Sequence, residues 1–414
     1  MSKRNKRPGG TSLKTQNRKK KPASTRPTLS PEQLIEKGNL AEAIRLLQAE
    51  LQRAPSNDQR RRLMGHCLFE TERYSEAAHA WLALREAQPG DMLNVGIAFL
   101  NAEEWDQAIM HLERSLQQLE QARTYYLLAL AHVREKSWWS VDDETKRRLV
   151  DLLQQARALP ACPPEAYLRL DDLLWSLASG KRGTGDEEEA RSSAREQGFQ
   201  ILEEAFSHYP DHEEIRLEFA KSLIYWRKQY ETGLLVLAPL VQRNDLEKYL
   251  FEDAVGLSVE AALQAGWYDK ALHYLKLVPI SSPAAGSAWP GLTQLQGDLL
   301  LHLKDFTAAR ASYEQEMQSG SFVAHFLGLF SCAWSWLLEE KGEQAFPLVE
   351  QALAVWFEQD DESDHDDAFD NEPVCIGTVH IGDESPALCV KQVCEALLHG
   401  NADLAPALHG QLSS

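Results

Sequence analysis

The sequence predicts an all-α fold, an α-solenoid of about nine helical hairpins, and two observations lead to that prediction. The first is a short motif in which a large apolar residue is followed by a small residue three positions later and by another large apolar residue four positions further on. It reads ERYSEAAHAW at 72–81 and recurs elsewhere in the chain. The second is a composition of 43 % hydrophobic and 25 % charged residues, which is typical of a folded protein. Recurrence of one motif indicates stacked, similar units.

The motif has five clear copies along the chain. In the copy with the largest side chains, Tyr74 is followed by Ala77 and then by Trp81. The other copies keep the same offsets: Leu40, Ala43 and Leu47; Trp105, Ala108 and Leu112; Tyr268, Ala271 and Leu275; Phe306, Ala309 and Tyr313. Positions three and four residues apart are neighbours on one face of a helix. Each copy therefore predicts a helix that packs on its neighbours through this face.

These repeats resemble the tetratricopeptide repeat family, whose unit is an antiparallel helix pair of about 34 residues. The second unit matches best, with Gly65 in the first helix, Tyr74 at the turn and Ala77 in the second helix. Small residues let the helices of a hairpin approach closely, while large ones fill the groove to the next hairpin. The resemblance implies these packing residues: Gly38, Ala43, Gly65, Tyr74, Ala77, Trp81, Gly96, Trp105, Ala108, Tyr268, Ala271, Gly297, Phe306, Ala309 and Tyr313. Between residues 120 and 260 the match is faint, and other helical-repeat packings stay open there.

The charge along the chain is uneven. The net charge is -19, from 62 acidic and 43 basic residues, yet residues 1–29 hold ten Lys and Arg and no acid. A segment with so few large apolar groups cannot bury enough surface to fold. The sequence therefore predicts a disordered basic arm at 1–30, a helical-repeat solenoid at 31–357, an acidic linker at 358–373 and a C-terminal segment with a strand and a helix at 374–414.

The basic arm is a candidate site for a polyanion such as nucleic acid. Its densest stretch is Arg18, Lys19, Lys20 and Lys21. Clustered Lys and Arg bind a phosphate backbone because they release its counterions. Two alternatives remain open: the arm is a solubilising tail, or it folds against the chain's own acidic segment.

Trp138 and Trp139 are candidate anchors for a partner protein. They stand side by side in a predicted loop at 136–144. Two adjacent side chains rarely face one core, so we expect one ring to be exposed. Exposed tryptophan is enriched where partners bind. The alternative is that both rings pack under the following loop.

The sequence shows no pattern typical of a catalytic, cofactor or metal site. The stretch SGKRGTG at 179–185 lacks the residue order of a phosphate-binding glycine loop and follows no strand. Cys375, His380, Cys389 and Cys394 are zinc-ligand types, but within each pair the spacing of five directs the side chains apart. The sequence therefore predicts no cofactor, no bound metal and no enzymatic activity, with a zinc site in this segment as the open alternative.

The repeats favour a non-catalytic scaffold or adaptor for protein–protein interactions. Stacked hairpins present a face lined by first helices, on which an extended peptide can lie. The acidity of the chain favours a basic or extended segment of the partner protein. The alternative is a nucleic-acid-associated assembly factor, on a ribosome or the transcription machinery, tethered by the basic arm. The sequence contains neither a secretory signal nor an apolar run that spans a membrane, so we expect a cytoplasmic protein, or a nuclear one in a eukaryote.

Overall fold

The computed structural model describes residues 29–134, 136–179, 187–243, 245–278, 292–318 and 322–359. Within these ranges the chain forms 18 α-helices and no strand. The helices are α1 Pro31–Glu36, α2 Leu40–Arg53, α3 Asp58–Glu70, α4 Tyr74–Leu82, α5 Pro89–Asn101, α6 Trp105–Gln118, α7 Ala122–Val133, α8 Asp143–Arg157, α9 Pro164–Ser179, α10 Glu187–His208, α11 Glu213–Tyr225, α12 Tyr230–Val241, α13 Lys248–Gln264, α14 Tyr268–Leu275, α15 Leu292–His302, α16 Phe306–Met317, α17 Phe322–Leu338 and α18 Gly342–Gln359. The predicted all-α class is confirmed.

Consecutive helices pair into hairpins. Each odd-numbered helix packs on the even-numbered helix that follows it, which makes nine hairpins in the described ranges and confirms the predicted number. The chain divides into two compact units, here called unit 1 (residues 1–163, with α1 to α8) and unit 2 (residues 164–414, with α9 to α18). Inside each unit, every second helix also contacts the first helix of the next hairpin. Each unit is therefore a stack of hairpins.

The first hairpin begins where local hydrogen bonding favours a helix start. The Ser30 hydroxyl accepts a hydrogen bond from the backbone N–H of Gln33, and the Gln33 side chain accepts one from the N–H of Ser30. This reciprocal capping box satisfies two N–H groups that a helix end leaves unpaired. Pro31 follows at the first helical position, where its missing N–H costs nothing.

The turns inside the hairpins share one backbone geometry. In seven of the described turns, the residue two positions before the second helix has a left-handed conformation. These residues are Gly38, Glu72, Glu103, Lys228, Gly266, Lys304 and Glu340. In most of them the next residue donates its N–H to a carbonyl five residues back, as Arg73 does to Leu68 at 2.9 Å. This Schellman-type ending stops the first helix and starts the return.

Gly266 is one of the two glycines that hold this left-handed turn position, with φ 72°. An L-residue there places its Cβ close to the following carbonyl, so Gly266→Ala is expected to lower the free energy of unfolding by about 1 kcal/mol. Gly90→Ala is the matched control, since Gly90 lies in a helix, has no atom within 4 Å of an added Cβ and takes an ordinary conformation. Urea unfolding followed by circular dichroism measures both. If both substitutions changed the free energy of unfolding equally, the left-handed conformation of Gly266 would not be the cause of the loss.

The hairpins close through glycines that face large residues of the second helix. A Cβ on Gly65 would lie 2.5 Å from Nε1 of Trp81, and one on Gly96 would lie 2.6 Å from Leu112. Gly297 stands in the same relation to Tyr313. In all three pairs the large residue follows sixteen positions later. The close approach of the two helices therefore depends on the missing side chain.

Two positions of the repeated motif differ in their burial. The small ones, Ala43, Ala77, Ala108, Ala271 and Ala309, have no exposed surface. The leading aromatic residues Tyr74, Trp105, Tyr268 and Phe306 are half-buried and begin the second helix of a hairpin. They pack near the hairpin turn, where the ring of Tyr268, for example, stacks on that of His302 at 4.4 Å between centroids.

Candidate functional site

In unit 2, the middle one of three successive first helices contacts the other two directly. The three helices are α9, α11 and α13. The hydroxyl of Tyr225 on α11 donates to Oε2 of Glu260 on α13 at 2.6 Å, and the hydroxyl of Tyr249 on α13 donates to Oε1 of Glu214 on α11 at 3.4 Å. Both pairs join residues 35 positions apart, which is one repeat. The side chains between them therefore form one continuous surface.

Charged groups fill the middle of this surface. Nζ of Lys221 lies 2.8 Å from a carboxylate oxygen of Glu218 and 4.0 Å from one of Asp253. On α9, Arg169 pairs with Asp172 at 3.0 Å. We call this surface the first-helix face and define it by Arg169, Asp171, Asp172, Glu214, Glu218, Lys221, Tyr225, Tyr249, Asp253 and Glu260.

Acids outnumber bases on the first-helix face by six to two. Burial raises the pKa of Asp171 to about 7, and the negative charges of Asp172 and Glu218 add to the effect. The carboxyl of Asp171 occupies the space over Gly198 of α10, where a Cβ would overlap it. Burial also raises the pKa of Asp172, although Arg169 opposes the shift. The face therefore carries negative charge that its own two bases do not balance.

An aromatic group lies at the end of this face, where α11 turns into α12. The guanidinium carbon of Arg195 is 4.2 Å from the ring centroid of Trp226 and 5.2 Å from that of Trp175, and the two indole centroids are 5.8 Å apart. Trp226 is 45 % exposed and the neighbouring Tyr225 is 36 % exposed. We call Trp175, Tyr225 and Trp226 the aromatic corner.

A second cation holds the turn that carries the aromatic corner. Arg227 lies over the ring of Phe199 at 4.1 Å and pairs with a carboxylate oxygen of Glu196 at 2.9 Å. Both of these partners belong to α10. Cation–π contacts and ion pairs of this kind order a surface side chain. The aromatic corner is therefore presented on a turn tied to the preceding hairpin.

The tryptophan pair predicted from the sequence lies in unit 1, between α7 and α8. Trp138 is half-buried, and Trp139 is 50 % exposed. Their role as partner anchors stays a prediction. Arg18, Lys19, Lys20 and Lys21 lie outside the described residues, and so do Cys375, His380, Cys389 and Cys394. The proposed nucleic-acid site and the open zinc alternative stay predictions as well.

Sequence reasoning did not identify the aromatic corner or Asp171. One signal was available for the corner, because Tyr225 and Trp226 are adjacent aromatic residues, as Trp138 and Trp139 are. No signal was available for Asp171, whose pKa depends on contacts between three helices. Among the residues that the structure describes, no group of three or more His, Cys, Asp or Glu side chains is arranged to hold a metal ion.

None of the helices in the described ranges is both long enough and apolar enough to cross a bilayer.

Residues 34–95 match the family profile described as tetratricopeptide repeat. No curated protein matches the chain. Among solved structures, a tetratricopeptide repeat protein from Parabacteroides merdae is 13 % identical, with 66 % of this chain and 96 % of that one covered and a TM-score of 0.37. The C-terminal part of a TPR repeat-containing protein from Cytophaga hutchinsonii is 10 % identical, with 70 % and 94 % covered and a TM-score of 0.38. A thermophilic TPR protein from Thermus thermophilus is 16 % identical, with 52 % and 99 % covered and a TM-score of 0.30.

Proposed function

We propose that this chain, whose residues 34–95 match the tetratricopeptide repeat family, is a non-catalytic scaffold whose first-helix face binds an extended, basic segment of a partner protein. One observation carries the proposal: the acidic residues of this face outnumber its bases six to two, and five to two when the carboxyl of Asp171 is protonated. Lysine or arginine side chains from a partner would supply the missing positive charge. Stacked helical hairpins bind extended peptides in this way, along the surface of successive first helices.

The two bases of the face are already engaged with its own acids. Arg169 pairs with Asp172, and Lys221 lies beside Glu218 and Asp253. An acidic partner segment would have to displace these contacts and would also meet the remaining carboxylates. Like charges brought together cost free energy and suppress the wrong partner. The proposal therefore favours basic segments over acidic C-terminal tails.

The proposal is tested by removing charge from the first-helix face without changing its shape. The variant Glu214→Gln, Glu218→Gln, Asp253→Asn is expected to bind its partner at least about tenfold more weakly, since each lost charge contact contributes on the order of 1 kcal/mol. The full-length chain is purified from its native cells by affinity, and the bound proteins are quantified by mass spectrometry. The matched control is Glu70→Gln, Glu103→Gln, Asp151→Asn, which removes three exposed acids from unit 1.

We expect the control to retain the proteins that the wild-type chain captures and the face variant to lose them. Circular dichroism of both variants establishes that each is folded. Retention of the same proteins by the face variant would overturn the proposal. Nuclease treatment of each sample shows whether any captured protein arrives through nucleic acid, which the basic arm is predicted to bind.

A further inference from the structure

We propose that the aromatic corner is a docking point for one large apolar side chain of the partner segment. Docking of this side chain would place the basic residues of the same segment beside the carboxylates of the first-helix face. This inference rests on the proposed function and specifies the chemistry of the partner. The occupant is an extended segment of another protein in which an apolar anchor stands about three to five residues from a group of Lys or Arg.

The exposure of Trp226 is the first support. A tryptophan contributes a large apolar surface, and leaving nearly half of it in water carries a free-energy cost that burial under a partner removes. Tyr225 stands beside it with 36 % exposure, while its hydroxyl is bonded to Glu260. Rigid aromatic groups of this kind are the residues in which binding energy concentrates at interfaces.

The position of Arg195 decides which side chain fits. Its guanidinium already lies over the rings of Trp226 and Trp175, so the cation–π position of this group is filled from within the chain. A second cation at the same rings would be repelled by Arg195. The surface of Trp226 that stays in solvent therefore suits an apolar or aromatic side chain rather than a lysine or an arginine.

The geometry of α11 sets the spacing of the partner segment. Glu218 precedes Trp226 by eight residues, which corresponds to about 12 Å along a helix axis. Glu214 lies one turn further away. An extended peptide advances about 3.3 Å per residue, so about four residues separate an anchor on Trp226 from a base on Glu218. Charge complementarity with the first-helix face therefore selects a basic segment with one apolar residue at that distance.

The inference is tested with random peptides of about 12 residues displayed on phage and selected on the immobilised full-length chain. Peptides selected on the wild-type chain are expected to carry Lys or Arg with a large apolar residue three to five positions away. Selection on Trp226→Ala is expected to keep the basic residues and lose the apolar preference. Phe346→Ala, which removes a similarly exposed aromatic side chain on α18 with 43 % exposure, is the matched control and is expected to leave both preferences intact.

Affinity of the best selected peptide is then measured by fluorescence anisotropy. We expect binding to weaken at least about tenfold in Trp226→Ala, since truncating an aromatic hot spot costs at least that much affinity, and to stay within about twofold in Phe346→Ala. A copy of the peptide with a benzophenone side chain at the apolar position should crosslink to the end of α11 in the wild-type chain. This crosslink tests the same contact without depending on how well Trp226→Ala folds.

The outcomes separate this inference from the proposed function. Basic peptides without an apolar preference, or a crosslink elsewhere, would overturn the docking point and leave the proposed function standing. Loss of affinity in Phe346→Ala instead of Trp226→Ala would place the anchor on α18 and would also overturn it. If the selected peptides showed no preference for Lys or Arg, and the same peptides were selected on the Glu214→Gln, Glu218→Gln, Asp253→Asn variant, both the docking point and the proposed function would be overturned.

Discussion

Gly65→Ala is expected to lower the free energy of unfolding of unit 1 by about 2 kcal/mol, although alanine is the better helix former. The added methyl group would lie 2.5 Å from the indole of Trp81, which is fully buried and cannot move aside. Urea unfolding of the full-length chain measures the loss. Hydrogen exchange assigns it to a region, and we expect the protection of α3 and α4 to fall.

A double-mutant cycle gives the sharper form of this test. In a Trp81→Leu background the space beside Gly65 is larger, so Gly65→Ala should cost much less there than in the wild-type chain. Gly90→Ala is again the control, because no atom lies within 4 Å of its added Cβ. If Gly65→Ala cost the same in both backgrounds, contact with Trp81 would not be the reason for the glycine.

Asp171→Asn is expected to stabilise the chain at about pH 8 and to change little below about pH 4. The pKa of this carboxyl is raised to about 7 in the folded chain, above its ordinary value of 3.8, so the folded state binds the proton more tightly than the unfolded state. The contribution of the Asp171 carboxyl to the free energy of unfolding is therefore fully present below about pH 4. It is lost as the pH rises from there through about 7. Asparagine carries no charge at either pH and so avoids the loss.

The expected gain at pH 8 lies between about 1 and 4 kcal/mol, since one pKa unit corresponds to about 1.4 kcal/mol and solvent still reaches the half-buried carboxyl. Urea unfolding of variant and wild type across this pH range gives the difference directly, and other titrating groups cancel in it. Asp253→Asn, at an exposed position of the same face, is the control. A difference that does not change with pH would show that the carboxyl of Asp171 stays ionised in the folded chain.

Much of the hairpin architecture was predictable, and the turns show why some hairpins carry a weaker sequence pattern than others. The motif copies begin at residues such as Tyr74 and Tyr268, two positions after a left-handed turn residue. The same turn geometry occurs at Lys228 and Glu340, where the following helices lack a motif as clear. A left-handed residue that is not glycine leaves little trace in sequence. Backbone geometry therefore repeats more regularly than the residues that adopt it.

The candidate site was predicted only in its general chemistry. The excess of acids over bases indicated a preference for basic partners before any fold was known. Which acids share a surface was not predictable, because Glu214, Asp253 and Asp171 lie on three different helices. Which of these side chains lie close together depends on the register between successive first helices. The faint repeat pattern in the middle of the chain did not define that register.

The sequence by itself determined the helical class, the hairpin unit and the acidity of this protein, because helix periodicity, turn signals and charge are local or additive properties. Only the tertiary structure decided that Trp175 and Trp226 share Arg195, and that Asp171 lies over Gly198 beside two other acids. Those features arise where separate helices meet. The desolvation that raises a pKa and the exposure that leaves an indole open for a partner depend on how neighbouring helices pack, which no single segment encodes.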